Sequence, residues 1–289
     1  MTAFFRSLRP LHLLLAALTY LLGAGIANYL GNNFLAAPFW LGLLGVLLAQ
    51  LTLSLLPEIF RLDAEPLAEN ETRRERQALR NNILYVSVAS LASLVLIFYS
   101  LFASDQLPGP AFYFLALSLA ILLAYSIPPF QLVNRGFGEL LLAVHLAYVN
   151  PSIAFVLQAG DTHRFLGITI PLAFLAFAYF VVTNFQSFAQ DRKFGRVTLL
   201  TRLGWERVVP LHHIFVLFAY IFFLAMPAFG LTLSLLAPAF ITLPFALYQI
   251  IQLRNISLGL RPNWRILHAT ALGVFGLTTY FLTLTFWIR

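Results

Sequence analysis

The sequence predicts an all-α polytopic membrane protein with about nine transmembrane helices. Three observations carry that prediction. Apolar runs of about 20 residues recur along the whole chain, the length a helix needs to cross a bilayer core. Hydrophobic residues make up 60% of the chain and charged residues only 10%, with a mean hydropathy of +0.84; a soluble domain is about a quarter charged. Basic residues fall almost wholly on one side of the spans, as expected where positive loops stay in the cytoplasm.

The first span runs from Leu11 to Leu30. Its length, and the many spans after it, read as a first membrane helix rather than a cleaved signal. The next four are Phe39–Phe60, Ile83–Ala103, Ala111–Ile127 and Gly138–Gln158. The sixth is Phe165–Val182, with a polar helical extension to about Asp191. Val208–Phe229, Leu233–Leu253 and Ile266–Ile288 complete the set. Turn residues mark the short connectors: "GNN" at Gly31–Asn33, "DQLPGP" at Asp105–Pro110 and "AGD" at Ala159–Asp161. The stretch Glu65–Glu75 reads as a charged loop or a short surface helix.

Sorted by side, every lysine and arginine except Arg164 and Arg289 lies with the N-terminus. One missed helix would scramble that division. The chain is therefore expected in the cytoplasmic (inner) membrane, N-terminus in and C-terminus out. The net charge of +7 is explained by these loops, and no nucleic-acid partner is expected. Cysteine is absent, which excludes disulfides, thiolate metal sites and a cysteine nucleophile. There is no Gly-rich phosphate loop, HExxH pair or Ser-His-Asp order, and no internal repeat of the kind that builds transporters.

Three segments carry candidate chemistry. In "VVTNFQSFAQDRKFGRVTLLTRLG", Val181–Gly204, the residues Asn184, Ser187 and Asp191 are spaced i, i+3, i+7 and share one helical face. A polar stripe at the inner end of a span suggests a wet cavity. Arg192, Lys193 and Arg196 follow at once, and Gly195 permits a helix stop. A carboxylate beside several cations suits a metal-bridged phosphate, although a helix end with snorkelling basic residues reads the same way. The second span ends in "LSLLPEIFRLD", where Glu58 and Asp63 lie five apart around Pro57; spacing alone also reads these as a helix end meeting water. After the fourth span, "AYSIPPFQLVNRGFGE" places Arg135 and Glu139 at the entrance of the fifth. Arg135 suits an anionic head group or serves as an ordinary inside-positive charge. Asn28, Gln50, His145, Asn150, Gln249 and Gln252 lie within spans and are expected as interhelical hydrogen-bond partners, with His145 also a candidate to touch substrate.

Taken together, "LRPLHLLLAALTYLLGAGIA", "YSIPPFQLVNRGFGE" and "NFQSFAQDRKFGRVTLLTRLG" resemble the UbiA-type intramembrane prenyltransferases, in order and spacing over nearly the whole chain. The resemblance implies a single transmembrane prenyltransferase-like domain, residues 1–289, around a central lipid-accessible cavity. It implies a polyprenyl diphosphate bound through Mg²⁺ at the cytoplasmic face, on two Asp-rich motifs after spans two and six. Ionisation then gives an allylic cation that a hydrophobic or aromatic acceptor captures, here a quinone precursor. Carried over residue by residue, Asp191, Glu58 and Asp63 are the metal ligands. Arg135, Arg192 and Lys193 bind diphosphate, Tyr125 and His145 contact substrate, and Asn184 and Ser187 act beside Asp191 by orienting water or phosphate. The chain also departs from the pattern. Ser187 stands where the first of two aspartates is expected, Glu58 replaces one aspartate of the earlier motif, and Asp63 is one residue out of register. Fewer metal ligands than usual remain, and the alternative is a non-catalytic member that binds an isoprenoid lipid or quinone.

Overall fold

The computed structural model describes residues 7–61 and 72–289. Among these residues, nine helices are long and apolar enough to cross a membrane. They are α1 (Pro10–Tyr29), α2 (Ala36–Ile59), α3 (Arg73–Ala103), α4 (Gly109–Ser126), α5 (Gly138–Ala159), α6 (Arg164–Thr183), α7 (Trp205–Phe229), α8 (Leu233–Ser257) and α9 (Trp264–Ile288). The described residues contain no strand. A helix satisfies its own backbone hydrogen bonds, which a hydrocarbon solvent requires of every spanning segment. The chain is an integral membrane protein.

Burial divides the helices into a centre and a periphery. In α5 and α6, 78% of the apolar span is buried within the protein; in α3 the figure is 17%. The α3 face that points outward carries Tyr85, Val95, Leu96 and Tyr99, all exposed, as lipid contact demands. Helix α1 packs against α2, α5 and α9 through its small residues. A Cβ on Gly23 would fall inside the Pro151 carbonyl of α5, and one on Gly25 would meet Trp287 of α9 at 2.7 Å. Small residues let membrane helices approach this closely. Gln158 reaches Leu35 at the head of α2, with bonds of 2.9 and 3.1 Å to its backbone.

Two helices widen locally. A π-turn occupies His145–Val149 in α5 and another Gly273–Leu277 in α9. In α5 the cause is at hand: Pro151 has no N–H for the carbonyl four residues back, and the wider turn absorbs the gap.

Two boundaries differ from the sequence reading. α3 begins at Arg73, ten residues before the apolar run, because Thr72 and Glu75 form a reciprocal capping box that starts the helix in water. The polar extension of span six is not one continuous helix. α6 ends at Thr183, residues 184–187 form a turn, and a short helix covers Phe188–Lys193. The Ser187 hydroxyl oxygen lies 3.2 Å from the Asn184 carbonyl, and the Asn184 amide is drawn away to Glu139 of α5. Short polar side chains compete here with the helical ladder and win.

Candidate functional site

Because the helices alternate in direction, the start of α1, the end of α2, the turn between α4 and α5, the end of α6 and the start of α9 meet at one end of the bundle. A polar cavity of about 550 Å³ lies there. Arg9 and His12 enter it from α1, Tyr125 from α4, Glu139 and Leu142 from α5, and Phe180 and Thr183 from α6. Asn184, Ser187, Arg196 and Thr198 come from the segment after α6, and His268 from α9. A second cavity of about 350 Å³ lies between α2, α3, α4 and α5; apart from Ser118 its lining is hydrocarbon, with Leu94, Phe98, Leu119 and Leu157 among its walls.

Three carboxylates at the polar end are nearly fully buried: Glu58 at 6% exposure, Glu139 at 5% and Asp191 at 4%. Buried charge is tolerated only with partners, and each has them. Glu58 Oε2 lies 2.8 Å from Arg61 Nε, and Oε1 lies 3.6 Å from Arg9 Nη2. Glu139 Oε1 accepts from Asn184 Nδ2 and, at 3.0 Å, from the backbone N–H of Leu199. Asp191 Oδ2 accepts from the Ser187 hydroxyl at 2.8 Å, and Oδ1 faces Arg196 Nη1 at 3.9 Å. Burial pushes the Asp191 carboxyl above its ordinary range; the Ser187 hydrogen bond and the charges of Arg196 and Arg61 oppose that shift without cancelling it.

The local chain explains how Arg196 returns to Asp191. Gly195 takes a left-handed φ of 70°, and the Arg196 N–H bonds back to the Asp191 carbonyl at 2.8 Å. Gly195 N–H bonds to the Arg192 carbonyl, so the short helix closes with a Schellman turn. The glycine that permits a helix stop thus also brings a guanidinium to the preceding carboxylate.

Several residues named from the sequence come together. Asn184, Ser187 and Tyr125 line the cavity, and Asp191 is joined to it through Ser187. Glu58 is joined to it through Arg9. Others lie apart. Arg135 is exposed and donates to the Pro129 carbonyl at 2.6 Å, fastening its own turn. Arg192 and Lys193 are exposed and lie over the rings of Phe188 and Phe194, at 5.9 and 5.3 Å. His145 bonds Ser118 at 2.9 Å, on the side of the apolar cavity. It is an interhelical partner, as is Gln252, which accepts from Thr270. Asp63 lies outside the described residues. The sequence reading missed Arg9, His12, Thr198 and His268 as cavity residues and gave Glu139 no part in the site. The spacing of Arg9 and His12, one turn apart, was a usable signal; nothing local marks His268.

The resemblance implies divalent metal ions, and the donor set can be tested for it. No group of three His, Asp or Glu that could hold a metal occurs among the described residues. Both oxygens of Glu58 face guanidinium groups, and Asp191 faces a third. The described residues do not fit a two-metal cage. They line instead a chamber with guanidinium groups, neutral hydrogen-bonding groups and the Glu139 carboxylate at one end and aromatic and aliphatic walls around it.

The sequence matches no family model and no curated protein. Solved structures do match. A UbiA homologue from Archaeoglobus fulgidus aligns with a TM-score of 0.64 at 15% identity, over 98% of this chain and 99% of that one. The same homologue bound to GPP and Mg²⁺ aligns with a TM-score of 0.58 at 16% identity, over 98% and 99%. A digeranylgeranylglyceryl phosphate synthase aligns with a TM-score of 0.57 at 14% identity, over 99% and 97%. Such coverage of both partners leaves no helix unmatched in the plan of the bundle, and the chain has the fold of the UbiA-type intramembrane prenyltransferases.

Proposed function

We propose that the protein is a prenyltransferase that moves an isoprenoid chain from a polyprenyl diphosphate to a lipophilic acceptor, of the aromatic quinone-precursor kind. The observation that carries this reading is the chamber itself, with guanidinium groups and buried carboxylates at one end of a bundle whose remaining walls are apolar. Solved relatives of the same fold, bound to GPP and Mg²⁺, support a prenyl diphosphate as donor.

In the step, the C1–O bond of the prenyl diphosphate breaks and its electron pair leaves with the diphosphate. A π-electron pair of the acceptor ring forms the new bond to C1, and the ring then gives up a proton to the released diphosphate to restore its aromaticity. The leaving charge is met by Arg9 and Arg196, preorganised beside fixed carboxylates, with Asn184, Ser187 and Thr198 as neutral hydrogen-bonding groups. The apolar walls keep water from the allylic cation. The apolar cavity between α2 and α5 offers a place for hydrocarbon. The cation asymmetry supports a cytoplasmic position for the polar end, with the N-terminus on the same side.

The test is incubation of the purified full-length protein with a labelled prenyl diphosphate and a panel of lipophilic phenols and naphthols, following diphosphate release and prenylated product. A second reading, a non-catalytic isoprenoid or quinone binder, is favoured by the missing aspartates. Saturable lipid binding with no diphosphate release, with and without Mg²⁺, selects it.

A further inference from the structure

A carboxylate that ligates Mg²⁺ presents an oxygen about 2.1 Å from the ion, in a shell completed by water and substrate phosphate. Glu58 is not disposed to do so. Arg61 Nε lies 2.8 Å from one of its oxygens and Arg9 Nη2 lies 3.6 Å from the other. An ion on either oxygen would sit against a guanidinium of the same sign. Arg61 is held in turn at the end of α2, where its own carbonyl accepts from Arg80 Nη2 at 2.5 Å.

Arg9 is the second half of the observation. It precedes Pro10 at the start of α1 with φ 46° and ψ 63°, left-handed for a residue with a Cβ. Such a conformation persists where the surroundings over-determine it. The Arg9 side chain pairs with Glu58 and lines the cavity, 29% exposed. Arg196 lines the same cavity and is held by Asp191 at 3.9 Å. Two guanidinium groups therefore face one chamber, each fixed by a buried carboxylate of a different segment.

We propose that Arg9 and Arg196 are the fixed cations that hold the diphosphate in place of divalent metal, and that Glu58 is a positioning residue for Arg9 rather than a metal ligand. This rests on the prenyltransferase reading and goes beyond it, because it predicts donor binding without metal. Guanidinium forks match phosphate oxygens bidentately, and being covalently attached they are not removed by chelation.

The test is binding of a non-hydrolysable prenyl thiolodiphosphate to the full-length protein in detergent, by calorimetry, in excess EDTA and in millimolar Mg²⁺. The expected result is saturable binding in both, with dissociation constants within about threefold. Arg9→Gln is expected to weaken binding about tenfold in both conditions. Glu58→Gln should weaken it several-fold, with partial recovery in Glu58→Asp and no change in the Mg²⁺ dependence. Binding that appears only with Mg²⁺, or a Glu58→Gln protein that needs more Mg²⁺ for half-saturation, overturns the proposal and leaves the prenyltransferase reading intact. No saturable binding in either condition overturns both. The wild-type comparison in EDTA and Mg²⁺ needs no variant, so a Glu58→Gln protein that fails to fold does not shield the proposal.

Discussion

Asp191 shows how a single residue is set for function against stability. Its carboxylate is buried, and burial outweighs the help of Ser187 and Arg196, so its folded-state pKa lies above the unfolded value. The sign follows. Between the two values the folded state binds more protons than the unfolded one, and stability falls as pH rises through that window and is flat above it. Asp191→Asn keeps a side-chain oxygen for the Ser187 hydroxyl and removes the buried charge. We expect this protein to melt no lower than wild type at neutral pH and to lose the wild type's rise in stability toward acid. Thermal melts in detergent from pH 4 to 8 check both points. The same substitution should abolish prenylated product, because Arg196 then lacks its fixed counter-charge. Glu139 gives a contrasting case. One of its oxygens serves both Asn184 and the Leu199 N–H. Glu139→Gln retains an acceptor and should fold normally. Glu139→Leu strands both donors, at a cost of about 1–3 kcal/mol each, and hydrogen exchange at Leu199 should accelerate.

At the scale of the helix, the informative contacts are those that size alone permits. Gly23 of α1 lies on the Pro151 carbonyl of α5, and backbone cannot yield as a side chain tip can. Gly23→Ala is expected to force α1 from α5 and lower stability by about 1–3 kcal/mol, seen as a lower melting temperature and poorer recovery of monodisperse protein. Gly45, whose Cβ would meet nothing nearer than Ile97 at 3.8 Å, is the matched control and should accept alanine. The same scale shows what the sequence could and could not convey. Spans were legible because helix length in lipid follows directly from an apolar run. The early start of α3 was legible in principle, since "TRRE" at Thr72–Glu75 has capping-box spacing, but hydropathy alone passes over it. The break after Thr183 was not legible: the group that draws Asn184 out of the helix is Glu139, 45 residues earlier in the chain.

Over the whole molecule, the buried carboxylates of the described residues gather at one end. Glu58 at the end of α2 meets Arg9 and Arg61, Asp191 in the short helix after α6 meets Arg196, and Glu139 at the start of α5 meets the Asn184 amide. The sequence made the side of each charge readable, because sidedness depends only on counting spans. It did not reveal pairings, because these depend on which helix ends are neighbours; Arg9 finds Glu58 across two helices, and Arg135, equally basic, stays outside. The opposite half is stitched mainly by neutral groups, with Arg289 Nη1 donating to the Ser234 hydroxyl at 3.2 Å. Trp287 Nε1 of α9 donates to the Leu21 carbonyl of α1 at 2.9 Å. Thr242 joins the Tyr220 hydroxyl of α7 at 2.9 Å to Thr278 of α9. This polarity yields a prediction about orientation. If the basic end is cytoplasmic, a phosphatase fused after Arg289 is active in the periplasm of a bacterial host and a fluorescent protein fused there is dark. Both fused at the loop after Gly195 should show the reverse. Orientation follows loop cations strongly and acidic residues weakly, so the carboxylates crowded at the same end do not offset the bias. Neutralising Arg202, Arg207, Arg254, Arg261 and Arg265 together should weaken retention of the last loops and produce mixed reporter signals at the C-terminus, whereas neutralising Arg164 should change nothing.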